Sequence, residues 1–292
     1  MDAVITYVNG LDPEWRSSYA EFIGRPPLEK RFRDWGTLRY LLRGIQVCLP
    51  FVENVYLLVS SDSQVPEWAD KEKLHVVRHS DIMPAELLPV FNSCTIEMFL
   101  HRIPGLAEEF IYFNDDMFPL LECRREDFYE DGKGKMGISK SFLSTNAYKK
   151  QCRASSDMAR KALGLARSLV FVRPQHICSP MLKSVSEACY AALEDEILAK
   201  SSRLRKPENP NQYLYLDYMY YSGRLVAQRI SNKHLSQGVY SAAQIAAFIR
   251  KPSTAFACIN DVEMSDEKYL AMRAEMLAAF EERFPEKSRF EL

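Results

Sequence analysis

From Ala3 to Asp116 the chain alternates short β-branched runs with amphipathic stretches of helical period, and few folds accommodate that alternation. Ala3 to Val8 reads as a strand ended by the turn pair Asn9-Gly10. From Leu38, apolar residues recur at Leu41, Leu42, Ile45 and Leu49, which predicts a helix with Asp34 as its N-cap. Asn54–Ser60 and Leu74–Arg78 read as buried strands. Ser93 is expected to cap a helix carrying Ile96, Phe99, Leu100 and Ile103 and ending at Pro104-Gly105. Phe110-Ile111-Tyr112-Phe113 is then a strand that stops at Asn114-Asp115-Asp116. Repeated units of this kind predict an α/β, Rossmann-like fold: a mainly parallel sheet with helices on both faces.

The second half is less regular. Arg124 to Ser156 is polar and rich in Gly and Lys, and reads as loops and short strands. Ser179–Ala199 and Ser265–Phe284 are predicted as additional C-terminal helices, with Ser265 an N-cap. Thr254–Ile259 is a strand ending in a second Asn-Asp pair, Asn260-Asp261. The net charge of −1, from 38 basic and 39 acidic residues, argues against general nucleic-acid binding, which needs a positive excess. Seven cysteines without close metal spacing, and no signal peptide, lead us to expect reduced thiols in a cytoplasmic protein. No apolar stretch approaches a membrane span, so contact with the inner face of the cell membrane would be peripheral.

Two adjacent carboxylates at the C-terminal end of a parallel strand face the ligand crevice of such a sheet. Asp115 and Asp116 repel one another unless a cation or donor stands between them, which suggests Mg²⁺ or Mn²⁺ holding a diphosphate; a solvated turn is the plainer alternative. Arg39 and Arg43 share a helix face, and Arg31 and Arg33 precede it, a guanidinium group suited to phosphate oxygens or to an ordinary charged surface. His176 follows Arg173-Pro174-Gln175 in a Pro-bounded loop, a setting for either a catalytic or a structural histidine; His101, on a helix, reads as structural. The aromatic run Tyr213–Tyr221 reads as core at helical spacing. The sequence shows no Walker A, HExxH or GxSxG pattern.

In this order the pieces resemble the Stealth family, which includes bacterial capsular polysaccharide phosphotransferases and the catalytic part of animal N-acetylglucosamine-1-phosphotransferase. The resemblance runs through Asp2–Asp12, then Arg31-Phe32-Arg33-Asp34 and Leu38–Arg43, then Gln64–Trp68, Leu88–Ser93, His101–Leu106 and Phe110–Asp116. Shorter matches are Gln175-His176 with Pro180, and Cys258–Asp261. Tyr7 stands where the family commonly has tryptophan, and Trp35-Gly36 where it has a polar pair.

The resemblance implies one catalytic domain, 1–292, with a nucleotide-sugar-binding half (1–123) and an acceptor half (124–292). It implies transfer of a sugar 1-phosphate from a nucleotide-diphosphate sugar to a hydroxyl of a glycan acceptor, free or lipid-linked, with a nucleoside monophosphate leaving. Asp115, Asp116, His176 and Arg205 would be catalytic. Asn9, Gly10, Asp12, Arg31, Arg33, Asp34, Arg39, Arg43, Asn92, Arg102 and Gln175 would bind substrate, and Asp115, Asp116 and Asn260 would hold Mg²⁺ or Mn²⁺. The rivals are a metal-dependent glycosyltransferase that releases UDP and a non-catalytic glycan-binding subunit.

Overall fold

A computed structural model describes residues 1–25 and 32–292. Its strands are β1 (Asp2–Thr6), β2 (Asn54–Val59), β3 (Leu74–Arg78), β4 (Glu109–Asn114), β5 (Met117–Pro119), β6 (Tyr129–Glu130) and β7 (Lys133–Met136). They continue as β8 (Ile138–Ser141), β9 (Phe171–Pro174), β10 (Ser179–Leu182), β11 (Leu225–Ala227), β12 (Asn232–His234) and β13 (Phe256–Cys258). The helices are α1 (Pro13–Ile23), α2 (Leu38–Cys48), α3 (His79–Ile82), α4 (Ser93–Glu97), α5 (Ala147–Ala162), α6 (Lys183–Lys200), α7 (Tyr213–Tyr221), α8 (Ala242–Arg250) and α9 (Asp266–Arg283). The fold is mixed α/β with a mainly parallel central sheet of order β10-β4-β1-β2-β3, as the alternation predicts; β10 is its antiparallel edge strand.

Two compact units divide the chain. The first comprises Met1–Val4, Val77–Tyr112 and Glu126–Ile230; the second comprises Ile5–Val76, Phe113–Arg125 and Ser231–Leu292.

In the first unit, β11, β7 and β6 form a small sheet, and β8 pairs with β9. The buried Tyr129 hydroxyl donates to the carbonyls of Phe110 (2.5 Å) and Met181 (3.0 Å), tying β6 to β4 and β10. The aromatic run is α7, with Tyr213, Leu214, Tyr215, Leu216 and Met219 buried, so it is core.

Three expectations are corrected here. Ser179–Leu182 is strand, because its backbone pairs with β4 from Ser179↔Tyr112 to Leu182↔Glu109, and the helix begins only at Lys183. Pro180 lacks an N–H, which an edge strand tolerates. The helix expected from Ser93 is two short pieces, α4 and a 3₁₀ turn at Leu100–Arg102. Its cap is Asn92, whose Oδ1 accepts from the Cys94 N–H at 3.2 Å. Finally, the polar stretch to Ser156 leads into a full helix, α5.

The second unit carries the sheet β12-β13-β5 and the packed pair α8 and α9. Helix α2 lies close on β5 because position 44 is glycine: a Cβ there would sit 2.7 Å from the Pro119 carbonyl oxygen. The α2 cap is Thr37, not Asp34, whose Oδ1 instead accepts from the Gly36 N–H at 2.9 Å. Ser265 caps α9 as expected, accepting from Lys268 N–H. All seven cysteines are buried and no disulfide joins them. Among the described residues, no helix is long and apolar enough to cross a membrane.

Candidate active site

Strand β4 ends at Asn114, and the chain turns through Asp115-Asp116 into β5. β5 pairs antiparallel with β13, Met117 opposite Cys258, and the Ile259 N–H donates to the Asp116 carbonyl at 2.9 Å. That pairing sets the two Asn-Asp ends side by side, so residues far apart in sequence share one cavity. The cavity, about 200 Å³, is lined by Tyr7, Arg33, Asp34, Trp35, Asn114, Asp115, Asp116, Gln237 and Asp261. Every lining residue belongs to the second unit.

Its polar atoms are poorly satisfied by protein. Asn114 Oδ1, Asp116 Oδ1 and Asp261 Oδ1 are buried without a protein partner, as is Trp35 Nε1; Asn260 Oδ1 also lacks one, but Asn260 does not line the cavity. The other oxygen of Asp116 accepts only a 3.5 Å contact from the Cys258 thiol. Leaving such groups unpaired costs on the order of 1–3 kcal/mol each, more when charged. Burial, and then the neighbouring Asp116 and Asp34 charges, raise the Asp115 carboxyl to about 8, so it keeps its proton at neutral pH. Burial also raises Asp261. Burial first, and then Asp34 and Asp115, push the Tyr7 phenol far up, which keeps it a neutral donor.

The donor set is all hard oxygen: two adjacent aspartates, a third at 261, and two side-chain amides. Such a set fits Mg²⁺ or Mn²⁺. It is not a closed cage, since among the described residues no group of three or more His, Cys, Asp or Glu converges as a preformed site.

The arginines are placed differently. Arg43 Nε and Nη2 grip the Glu291 carboxylate at 2.8 and 2.9 Å, while Nη1 donates to Glu281 (3.0 Å) and the Phe284 carbonyl (2.7 Å). It is a structural clamp for the C-terminal segment, and not a cavity residue. Arg39 lies over the Trp68 ring, 4.9 Å from its centroid. Arg33 lines the cavity, yet its guanidinium pairs with Asp266, donates to the Met264 carbonyl at 3.2 Å and covers the Tyr269 ring. Arg31 lies outside the described residues.

Asn9, Gly10 and Asp12 shape the loop after β1 and do not line the cavity. Asn9 exchanges hydrogen bonds with the Gln64 side chain, and Asp12 caps α1 through the Trp15 N–H at 2.7 Å. At Gly10 a Cβ would collide with the Phe32 carbonyl, 1.9 Å away.

The remaining predicted residues belong to the first unit. His176 is exposed at its loop, with Nδ1 at 2.9 Å from the buried Tyr213 hydroxyl. Gln175 bridges Gly137 and both backbone groups of Ile230, a structural role. Asn92 is buried and bonded to Thr95, Ser202 and Asn209. Arg102 stacks on Phe99 and Tyr190. Arg205 is exposed and donates to Ser93 Oγ at 2.5 Å. His101 is buried, and burial followed by Arg102 and Lys183 lowers it to about 4.

Residues 31–136 match the family described as Stealth protein CR2, conserved region 2. The capsular polysaccharide phosphotransferase WcwK of Streptococcus pneumoniae is 30% identical over 335 residues, covering 100% of this chain and 99% of the relative. The chain belongs to the Stealth family. It is an enzyme, a phosphotransferase. The receptor polysaccharide phosphotransferase WefC of Streptococcus oralis is likewise 30% identical over 339 residues, covering 100% of this chain and 99% of the relative. A solved galactosyltransferase, LgtC with donor and acceptor sugar analogues, aligns over 94% of this chain and 95% of its own at 9% identity and a TM-score of 0.39, a likeness from which nothing is carried over.

The Stealth match contains Arg33, Asp34 and Asn114–Asp116 but stops before Asn260-Asp261. Sequence reasoning missed Asp261, Tyr7, Trp35 and Gln237 as cavity residues. Asp261 carried a signal, the repeat of an Asn-Asp pair at a second strand end, and Tyr7 and Trp35 stood out as departures from the family pattern.

Proposed function

We propose that this Stealth enzyme transfers a sugar 1-phosphate from a nucleotide-diphosphate sugar to a hydroxyl of a glycan in capsular or other surface polysaccharide. The acceptor oxygen bonds to the sugar-proximal phosphorus, and the phosphorus–oxygen bond to the nucleoside monophosphate breaks. The hydroxyl proton passes to a base, and the anomeric bond stays intact, so the product is a phosphodiester.

The observation that supports this most is the half-buried cluster of Asp34, Asp115, Asp116 and Asp261 around one cavity, in which Asp116 and Asp261 each keep an unpartnered oxygen. A pyrophosphate could not share that cavity with the carboxylates of Asp34, Asp116 and Asp261 unless divalent charge were added. Asp116, Asp261 and the amide oxygens of Asn114 and Asn260 would hold Mg²⁺ or Mn²⁺. When bound, the ion supplies neutralisation of phosphate charge, the main demand of phosphoryl transfer. Tyr7, held neutral, would donate its hydrogen bond to Asp34 at the cavity wall. From the family resemblance alone, His176, bonded to Tyr213, is the candidate proton acceptor, and Arg205 a candidate for a phosphate oxygen.

The test is the nucleotide product. With a panel of nucleotide sugars, Mg²⁺ and a glycan acceptor, UMP, CMP or GMP should appear together with a phosphodiester resonance in the phosphorus NMR spectrum. A nucleoside diphosphate with a phosphate-free linkage would overturn the reading and establish a glycosyltransferase.

A further inference from the structure

Helix α5 and the β8–β9 pair carry a feature the transfer chemistry does not use. The last paired residues are Ser141 and Phe171, so the chain leaves the ladder on both sides with large apolar side chains. Phe142 is 70% exposed, Leu143 69% and Leu169 82%, with Leu165 at 42%. This loop is tied to α5: Arg153 donates to the Leu169 carbonyl at 2.7 Å and Arg160 to the Ala166 carbonyl at 2.8 Å. Exposed apolar residues elsewhere, such as Leu11, Val47, Val239 and Leu270, are scattered through the sequence.

The stretch of sequence that carries these residues is also basic. Between Ile138 and Leu169 the basic residues are Lys140, Lys149, Lys150, Arg153, Arg160, Lys161 and Arg167, and the only acidic one is Asp157. In a chain of net charge −1 this is a strong local excess. Arg153 and Arg167 share Asp157, and Lys161 pairs with Glu196. Lys140, Lys149 and Lys150 have no carboxylate partner among the described residues.

We propose that this edge docks on an anionic lipid bilayer. Exposed Phe and Leu side chains insert at the boundary of the acyl chains, while flanking lysines reach the headgroup phosphates along their flexible stems. A second copy of the same face is a poor occupant, because two basic surfaces would be opposed. The inference goes beyond the transfer reaction and stands or falls separately from it.

Co-sedimentation with vesicles tests it. The full chain should pellet with phosphatidylcholine vesicles containing phosphatidylglycerol, far less with phosphatidylcholine alone, and less again at high salt. Phe142→Ser with Leu169→Ser, and separately Lys149→Glu with Lys150→Glu, should each weaken partitioning by about tenfold or more. Val239→Ser with Leu270→Ser should change nothing. The proposal is overturned if wild type shows no preference for anionic vesicles, or if neither pair weakens binding. It is equally overturned if ultracentrifugation shows a dimer that the same substitutions abolish.

Discussion

Two charged groups stand out in the sequence, the acids at the end of β4 and the arginines around the start of α2, and the structure uses them in opposite ways. Arg43 is saturated by Glu291, Glu281 and a backbone carbonyl, with side-chain exposures of 4% for Arg43 and 3% for Glu291. The acids keep unpartnered buried oxygens and, at Asp115, a carboxyl raised to about 8. Charge that is fully paired holds a fold together. Charge left costly and unpaired inside a cavity is what a site for an ion and a substrate looks like.

The largest effect should come from Asp116→Ala. Turnover should fall by about three orders of magnitude or more, the scale of a lost metal ligand. The melting temperature should hold or rise, because one of several mutually repelling carboxylates is gone. Near-normal kcat would break the comparison on the acidic side.

Arg43→Ala should do the reverse. Stripping the partner from buried Glu291 should destabilise the protein by about 3–5 kcal/mol, seen in urea unfolding, while the KM for donor of the folded fraction stays unchanged. A raised donor KM with intact stability would return Arg43 to phosphate binding.

A smaller effect concerns pH. In the cation-free protein Asp115 is protonated below about 8, whereas in the unfolded chain it ionises near 4. Between those values the folded state holds more protons, so this carboxyl's contribution to stability is full below the unfolded value and is lost as pH rises toward 8. Asp115→Asn should flatten the decline in stability from pH 5 to 8, measured by denaturant titration in EDTA. An unchanged slope would show that the carboxyl is not raised.

The acidic turn was legible because its signal is local: an apolar, aromatic-rich strand running into Asn-Asp-Asp at the position where an α/β sheet faces its ligand. Asp261 was half-legible, since Asn260-Asp261 was read as a second Asn-Asp pair but only Asn260 was assigned to the cation. Arg43 was misread because its partners lie more than 200 residues away, and no local pattern encodes a clamp between α2 and the C-terminal segment. Ser179-Pro180 looks like a helix start, but pairing with β4 overrode that preference, as tertiary context does for short segments. Helix α5 escaped because, apart from Met158, its buried side is Cys152, Ser155, Ser156 and Ala159, small residues that make no apolar stripe.

The account turns on whether the acids at the two strand ends bind a divalent cation together. Calorimetric titration of Mn²⁺ into the full chain, without donor or acceptor, measures this apart from turnover. The account predicts one saturable site, weakened about tenfold or more by both Asp116→Asn and Asp261→Asn and untouched by Arg43→Ala. Equal Mn²⁺ affinity in wild type and both aspartate variants would contradict it.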